Sequence, residues 1–353
     1  MMISPRCTLL VVVLLGPVAA AATLPDPLLS PWSGHPVHRS NVPYHCGALP
    51  HVAQDLTTSG FYRLDDPTHS IIDPVRQKAY TESSLPVKTA GMMIVSAADA
   101  FRETGSRQAQ DCAIQYILTL AQQRSLTGTM SSSQAYYVQG WVVGAIAIDW
   151  LKVRDDAPLT DAQTKLVSDW LVDVGARTRA YYTDRHKPDA GDAANNHLYW
   201  AAVQLAAIAV AANNHDDFLW AIAAYDRAVR QIRPDGTLPL EMARGTRALH
   251  YHLYALAPLV LLAEFGEANH LHLYDHNDGA LHRLVNVSVH GINDPALFVK
   301  ATGIDQEIHK PVSGDQIGWA PPYLRRFPNT ALQQLLESAP SLSVFYLGGL
   351  PPP

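Results

Sequence analysis

Apolar residues recur at three- and four-residue spacing through most of the chain, the period of an α-helix with one buried face. The pattern predicts helices over 85–103, 107–124, 133–153, 161–184, 193–212, 216–232 and 246–265, and weaker ones over 279–291, 295–302 and 330–337. No segment alternates apolar and polar positions for more than a few residues, so no strand is expected. Several of these runs end at Gly, Asn or Pro, which stop helices. Short connections between them favour antiparallel hairpins over a parallel sheet. A ring of such hairpins makes an all-α, (α/α) toroid, an incomplete barrel with a groove across one end. Residues 23–60 are rich in Pro, His and Ser and read as irregular, and 60–74 (GFYRLDDPTHSIIDP) reads as a loop. No low-complexity linker divides 23–353, so one domain is expected there.

The first 22 residues break the pattern. Arg6 is followed by an apolar run over 8–18 and then by small residues up to Ala22, the layout of an export signal cleaved near that point. The run falls short of the roughly 20 residues that span a bilayer, and no later stretch is long and apolar enough to span one. A periplasmic or secreted protein is therefore expected. Cys7 would leave with the signal, and the even pair that remains, Cys46 and Cys112, predicts a disulfide in an oxidising compartment.

With 353 residues, 48% hydrophobic and 16% charged, the chain can bury a large core. Its net charge of −6 gives no support for binding nucleic acid or an anionic membrane. An acidic polymer would require a local basic cleft, which net charge cannot reveal.

Two segments carry chemistry. Asn195-Asn196-His197-Leu198-Tyr199-Trp200 opens a predicted helix. In the segment from Arg244 to Tyr254, Arg247, His250, Tyr251 and Tyr254 fall at i, i+3, i+4 and i+7 and so share one helix face. A buried cation needs a partner, so this stripe is not an ordinary core face. On spacing alone it is either a solvated face or a functional site.

NNHLYWAA, LPLEMARGTRALHYHLYALAPL and the loop ending in SIIDP resemble the alginate lyase family 5 polysaccharide lyases, also called poly(β-D-mannuronate) lyases. Weaker similarity runs through AIDWLKV, NDGALHRL and the C-terminal TG…GW…Y segment, so the resemblance covers nearly all of 23–353. It implies an exported helical toroid that cleaves a polyuronate by β-elimination, as a monomer without a cofactor. Elimination next to a carboxylate requires neutralising that carboxylate, a base near C5 and an acid near the leaving oxygen. The resemblance assigns Asn196 and Arg247 to the carboxylate, and His197 to its support or to the C5 proton. It assigns Tyr254 as the acid and, for same-side elimination, also as the base. Arg suits its part because it stays charged and forks onto carboxylates.

Substrate contacts are further expected from Tyr62 and Arg63 in the loop that resembles the family's lid, and from His250 and Tyr251 on the stripe. Trp141, Trp200 and Tyr137 are candidates for stacking on sugar rings, although aromatics at helical spacing are more often core. Two positions depart from the family pattern. Relatives commonly carry Arg where this chain has Tyr346, before Leu-Gly-Gly, and often Arg where it has Gln139. Both are expected to line distal subsites, with less positive charge than in relatives. His252 lies off the stripe and reads as a structural histidine or a neighbour of the site. His270, His272, His276 and His282 lack HExxH-type spacing, so no metal is expected. The rivals are a hydrolase using Glu241 and Asp192, and a non-catalytic periplasmic polysaccharide-binding protein.

Overall fold

The computed structural model describes residues 24–155, 157–183, 185, 191–308 and 310–353. The expected export signal lies outside the described residues, as does Asp184 at the end of the fourth predicted helix. In chain order the helices are α1 (Pro74–Thr104), α2 (Arg107–Gln122), α3 (Ser133–Val153), α4 (Asp161–Thr183), α5 (Asn196–Ala212), α6 (His215–Gln231) and α7 (Pro239–Met242). They continue as α8 (Ala248–Ala268), α9 (His276–Asn293), α10 (Ala296–Thr302), α11 (Gly314–Ile317), α12 (Ala320–Arg326) and α13 (Thr330–Ser338). Among the described residues there is no strand, only isolated bridges such as Tyr62 with Ile72 and Val344 with Gly349. The fold is the all-α, (α/α) toroid that the periodicity and the resemblance imply.

Local sequence explains where the helices start and stop. Ser106, Ser132, Asn195 and Asn214 cap α2, α3, α5 and α6, each side-chain oxygen accepting from a backbone N–H of the first turn. α1 ends at Gly105 and α5 at Asn213, both left-handed, as helix C-termini favour. α1 begins eleven residues before the predicted start at 85. Asp73 accepts from the N–H groups of Val75 and Arg76, and Pro74 fills the first helical position. Pro86 sits inside the helix on its exposed side. The helical bond it removes frees the Glu82 carbonyl, which water can reach.

α5 and α8 are apolar on nearly every side, and such helices belong in the middle of a fold. α5 packs against α3, α4, α6 and α8, and α8 also packs against α9. Against the expectation that no stretch after the signal could span a bilayer, the segment Gly245–Ala268 is long and apolar enough to do so, but 89% of its window is buried, which marks a core helix. One contiguous hydrophobic cluster runs from Leu28 to Leu347.

Two ties fix the ends of the described chain. The expected disulfide joins Cys46 to Cys112 on α2, with Cα atoms 5.7 Å apart. Closing a loop of 66 residues in sequence limits the unfolded chain, worth about 4 kcal/mol in the entropic account. At the other end, Gly348 and Gly349 turn with φ of +70° and +84° against Asp99 and Lys152. Lys152 donates to Asp99 at 3.0 Å and to the Gly348 carbonyl, and the Leu350 N–H donates to Asp99.

A Cβ on Gly349 would lie 2.1 Å from an Asp99 oxygen, whereas one on Gly34 (φ +80°) would meet nothing within 4 Å. Gly34→Ala should therefore cost only the backbone strain of about 1–2 kcal/mol. Gly349→Ala should cost more than about 3 kcal/mol, because the clash dislodges a buried carboxylate. Urea denaturation of both variants tests this, and equal losses would contradict it.

Candidate active site

The start of α5 supplies Asn196 and His197. Asn195 accepts the His197 N–H at 3.0 Å and sets the helix start. Asn196 is fully buried, and three donor contacts tie it to Glu241 of α7. Its backbone N–H lies 2.8 Å from Oε1, and its Nδ2 lies 3.0 and 2.9 Å from the two carboxylate oxygens. Its Oδ1 is buried and makes no hydrogen bond.

His197 stacks on Tyr137 with ring centroids 3.8 Å apart and lies 6.1 Å from Trp141. Burial pushes its pKa down to about 3, and the charge of Arg244 adds to the effect against an opposing pull from Asp192. One edge of the residue still reaches the surface, but its Nδ1 is buried and unbonded. His197 is thus a neutral imidazole with hydrogen-bonding capacity to spare.

The opposite wall comes from the turn before α8 and from α8 itself. Arg247 donates from Nε to Glu307 at 2.8 Å and from Nη1 to the Tyr62 hydroxyl at 3.0 Å. Burial works against its charge, but Tyr62 and Glu307 outweigh it and raise its pKa, so it stays cationic. The segment carrying Glu307 is stitched to this turn: Glu307 N–H donates to the Thr246 carbonyl, and Gln306 accepts from the Leu249 N–H. The Tyr251 and Tyr62 hydroxyls are 2.7 Å apart.

Tyr254 lies half-buried against Trp200 (4.9 Å between centroids), with Tyr251 at 6.1 Å and a parallel His250 at 6.3 Å. Burial raises its pKa well above the ordinary value, and Tyr346, Tyr251, Tyr80 and Asp315 add to that, so it rests as a phenol. Tyr346, placed by the C-terminal turn, packs on Trp141 (5.2 Å) and edge-on to Trp200 (6.3 Å), and hydrogen-bonds Tyr80.

A continuous aromatic path therefore links His197 to Tyr254 and on to Arg247. It brings together His197, Arg247, Tyr254, Tyr62, Trp141, Trp200, His250, Tyr251 and Tyr346, while Asn196 adjoins it only through His197, its side chain tied to Glu241. Two expected contacts lie elsewhere. Gln139 is fully buried, and its Nε2 donates to the Leu126 carbonyl at 2.7 Å, so it faces the core and not a subsite. Its helical offset from Trp141 turns it away from that wall. Arg63 is exposed and pairs with Asp65 at 2.9 Å. Adjacent side chains in the extended lid segment point opposite ways, so with Tyr62 turned inward Arg63 turns out.

Other residues acquire definite partners. His252 is fully buried, accepting the Leu238 N–H at Nε2 and donating to the Ala248 carbonyl from Nδ1, which makes it structural. His276 pairs with Asp226, His272 with Glu267, and His282 with the Tyr323 hydroxyl. Asp192 accepts from Tyr137, Tyr181 and Arg185. Burial opposes its charge, but these three bonds hold its carboxyl below the usual range. With Glu241 held by Asn196, neither carboxyl of the rival hydrolase pair is free to serve as a catalytic acid.

Sequence reading gave no site role to Arg244, Glu307 or Tyr80. Arg244 lies 3.5 Å over the Tyr251 ring and donates to the carbonyls of Thr68 and His69, latching the lid loop to the stripe. The lid keeps its shape through Asp66. Burial opposes the charge of Asp66, yet bonds from Thr68, Ile71 and Ser70 hold its carboxyl well below the usual range. Arg244 had a signal in sequence, lying three residues before Arg247. Glu307 and Tyr80 had none.

The helical toroid with an aromatic cleft across it defines the class of fold. A family model described as alginate lyase matches residues 60–298. The chain belongs to the alginate lyase family of polysaccharide lyases. It is 33% identical over 289 residues to a polysaccharide lyase of Stenotrophomonas maltophilia, covering 80% of this chain and 82% of that protein. It is 28% identical over 313 residues to an alginate lyase of Pseudomonas syringae pv. syringae, covering 87% and 82%. Its fold matches the crystal structure of alginate lyase A1-III from Sphingomonas species A1 with a TM-score of 0.74 at 21% identity, over 93% of this chain and 89% of that one. A variant of that enzyme in complex with a tetrasaccharide matches with the same TM-score at 20% identity.

A lowered His197 pKa means that the imidazole is neutral everywhere above about pH 3. Proton NMR of the free protein should show no His197 titration between about pH 5 and 8, the window in which an unperturbed histidine changes charge. A midpoint inside that window would refute the burial argument.

Proposed function

We propose that this protein cleaves β-1,4-linked polyuronates endolytically by β-elimination, with polymannuronate first and polyglucuronate-type polymers next. The supporting observation is the convergence of a cationic Arg247, a neutral His197 and a protonated Tyr254 in one aromatic cleft. Arg247 and Asn196 take the uronate carboxylate, so negative charge can build on it as the C5–H bond breaks. The electron pair forms the C4–C5 double bond, the C4–O bond breaks, and Tyr254 protonates the leaving oxygen. His197 rests unprotonated and suits the C5 proton where C5–H and C4–O lie on opposite faces. In mannuronate and glucuronate they lie on one face, and Tyr254, once its phenol proton has passed to solvent, takes the C5 proton and returns that proton to the leaving oxygen. The alginate lyases among its relatives support the uronate ligand, and the S. maltophilia relative supports lyase chemistry.

The reading includes export and a periplasmic or secreted location. The Cys46–Cys112 disulfide supports it, because such bonds persist in oxidising compartments.

A panel of polymannuronate, polyguluronate, polyglucuronate and hyaluronate, followed by the ultraviolet absorbance of unsaturated uronate ends, tests the reaction. Chain shortening without that absorbance would mean hydrolysis, and binding without shortening would mean a binding protein. Tyr254→Phe should lower kcat by ~10²–10⁴-fold with binding retained. Arg247→Ala should lower kcat/KM by ~10²-fold or more, because it leaves the carboxylate without its cation. Wild-type turnover in the Tyr254→Phe variant would remove that residue from the mechanism.

A further inference from the structure

A histidine in a reaction centre is ordinarily aimed by a hydrogen bond at one ring nitrogen, often to a carboxylate or a backbone carbonyl. His197 has no such bond among the described residues, and its Nδ1 is buried without a partner. What fixes the plane of its ring is a face-to-face stack on Tyr137 of α3, with centroids 3.8 Å apart and planes 19° from parallel. Trp141, one helical turn further on, lies at 6.1 Å and 26°. The face of Tyr137 that meets the imidazole is closed to a sugar ring.

Tyr137 is itself fixed at its far end. Its hydroxyl donates to Asp192 Oδ2 at 2.8 Å, and the Tyr181 hydroxyl of α4 donates to the same oxygen at 2.8 Å. Arg185 donates to the other oxygen at 3.0 Å. Tyr181 also stacks on Tyr136, the neighbour of Tyr137, at 4.2 Å. Burial, with the charge of Asp192 adding to it, keeps Tyr137 a phenol that can donate. Asp192 lies in the short turn Gly191–Ala193 just before α5, so the stretch of chain that bears the anchor also bears His197.

We propose that Asp192 is a positioning residue for His197, acting through Tyr137: its carboxylate anchors the hydroxyl, and the anchored ring sets the plane in which the imidazole meets the substrate. A carboxylate bonded directly to Nδ1 would favour the imidazolium. Held at one remove, the ring is oriented and yet stays neutral, because burial and the charge of Arg244 outweigh the pull of Asp192. Both ring nitrogens are left for the substrate. The effect on turnover rests on the lyase reading, whereas the orientation of the ring does not.

The test compares Asp192→Ala, which removes the anchor, with Asp192→Asn, whose carboxamide oxygen can still accept both hydroxyls. In NMR of the free, full-length protein with isotope-labelled histidine, the His197 ring protons should lie upfield through the ring current of Tyr137. Asp192→Ala should move them toward ordinary positions, and Asp192→Asn should leave them close to wild type. On the polyuronate that the wild-type protein cuts fastest, Asp192→Ala should lower kcat about 10- to 100-fold with KM little changed. Asp192→Asn should recover most of that loss.

A double variant decides the route. Placed on His197→Ala, the Asp192→Ala change should lower kcat no further, because residues that act through one another are not additive. A second loss of the same size in that background would mean that Asp192 acts on the fold or the substrate directly, and overturns the proposal. Should Asp192→Ala not fold, Tyr137→Phe keeps the ring and removes only its tether. Unchanged His197 signals and unchanged kcat in that variant overturn it equally. A protein that makes no unsaturated product but shows Asp192-dependent His197 signals keeps this inference and loses the lyase reading.

Discussion

A single buried ammonium ties the cleft to the rest of the fold. Lys152 on α3 has a fully buried side chain and meets Asp99 of α1 at 3.0 Å, Asp149 at 3.6 Å and the carbonyl of Gly348. Burial raises the pKa of Asp149 well above its ordinary value despite the pull of Lys152. Asp99 in turn accepts from Ser343 and Leu350. Helix α1, helix α3 and the C-terminal turn are thus joined at one point. Phe345, on that turn, sits so close to Gly91 of α1 that a Cβ there would approach its ring to 2.8 Å. Tyr346 follows it and closes the aromatic wall against Trp141. The geometry of the cleft therefore depends on electrostatics outside it.

Within the cleft the same physics works at smaller scale. Burial keeps His197 neutral and Tyr254 protonated, while Arg247 holds its charge by pairing with Glu307 and Tyr62. Arg247 and His197 are in the form their proposed roles need before any substrate arrives. Such preorganisation avoids the cost of rearranging dipoles during reaction. The carboxylate of Glu307 meanwhile sits where it restrains Arg247 and screens its charge. An entering uronate therefore competes for a guanidinium that is already oriented.

Much of this was legible in the sequence, and the failures share a cause. The apolar runs of α5 and α8 report their burial directly, and the even cysteine count reports the disulfide. The motif around Asn196 and the stripe from Arg247 to Tyr254 report two walls of one site. The first turns of α1 were missed because PVRQKAYTESS is polar, whereas the Asp73 cap and the tertiary packing of Tyr80 and Ser84 hold it helical. Arg63 and Gln139 were placed in the cleft because the direction of a side chain is a property of the backbone and not of the residue type. Glu241 was visible as a carboxyl beside the motif, but its duty toward Asn196 depends on a contact 45 residues away in sequence. Glu307 reaches Arg247 across 60 residues, beyond any local pattern.

That lesson bears on how the cleft chooses among uronates. Mannuronate and glucuronate differ at C2, away from the bonds that change, so the reaction centre cannot choose between their polymers. Counting lost arginines overstates the change in charge, because Gln139 never faced the cleft. At Tyr346 a phenol stands beside Trp141 and Trp200. Yet Lys88 of α1 stands 4.1 Å over the Tyr80 ring, its pKa lowered by burial. A cation therefore lies near that end, carried by α1 on a flexible side chain. Lysine gives a point charge where arginine gives a fixed fork. An ammonium over an aromatic ring imposes no fixed geometry on a partner, so it adds charge beside that ring without a directional contact.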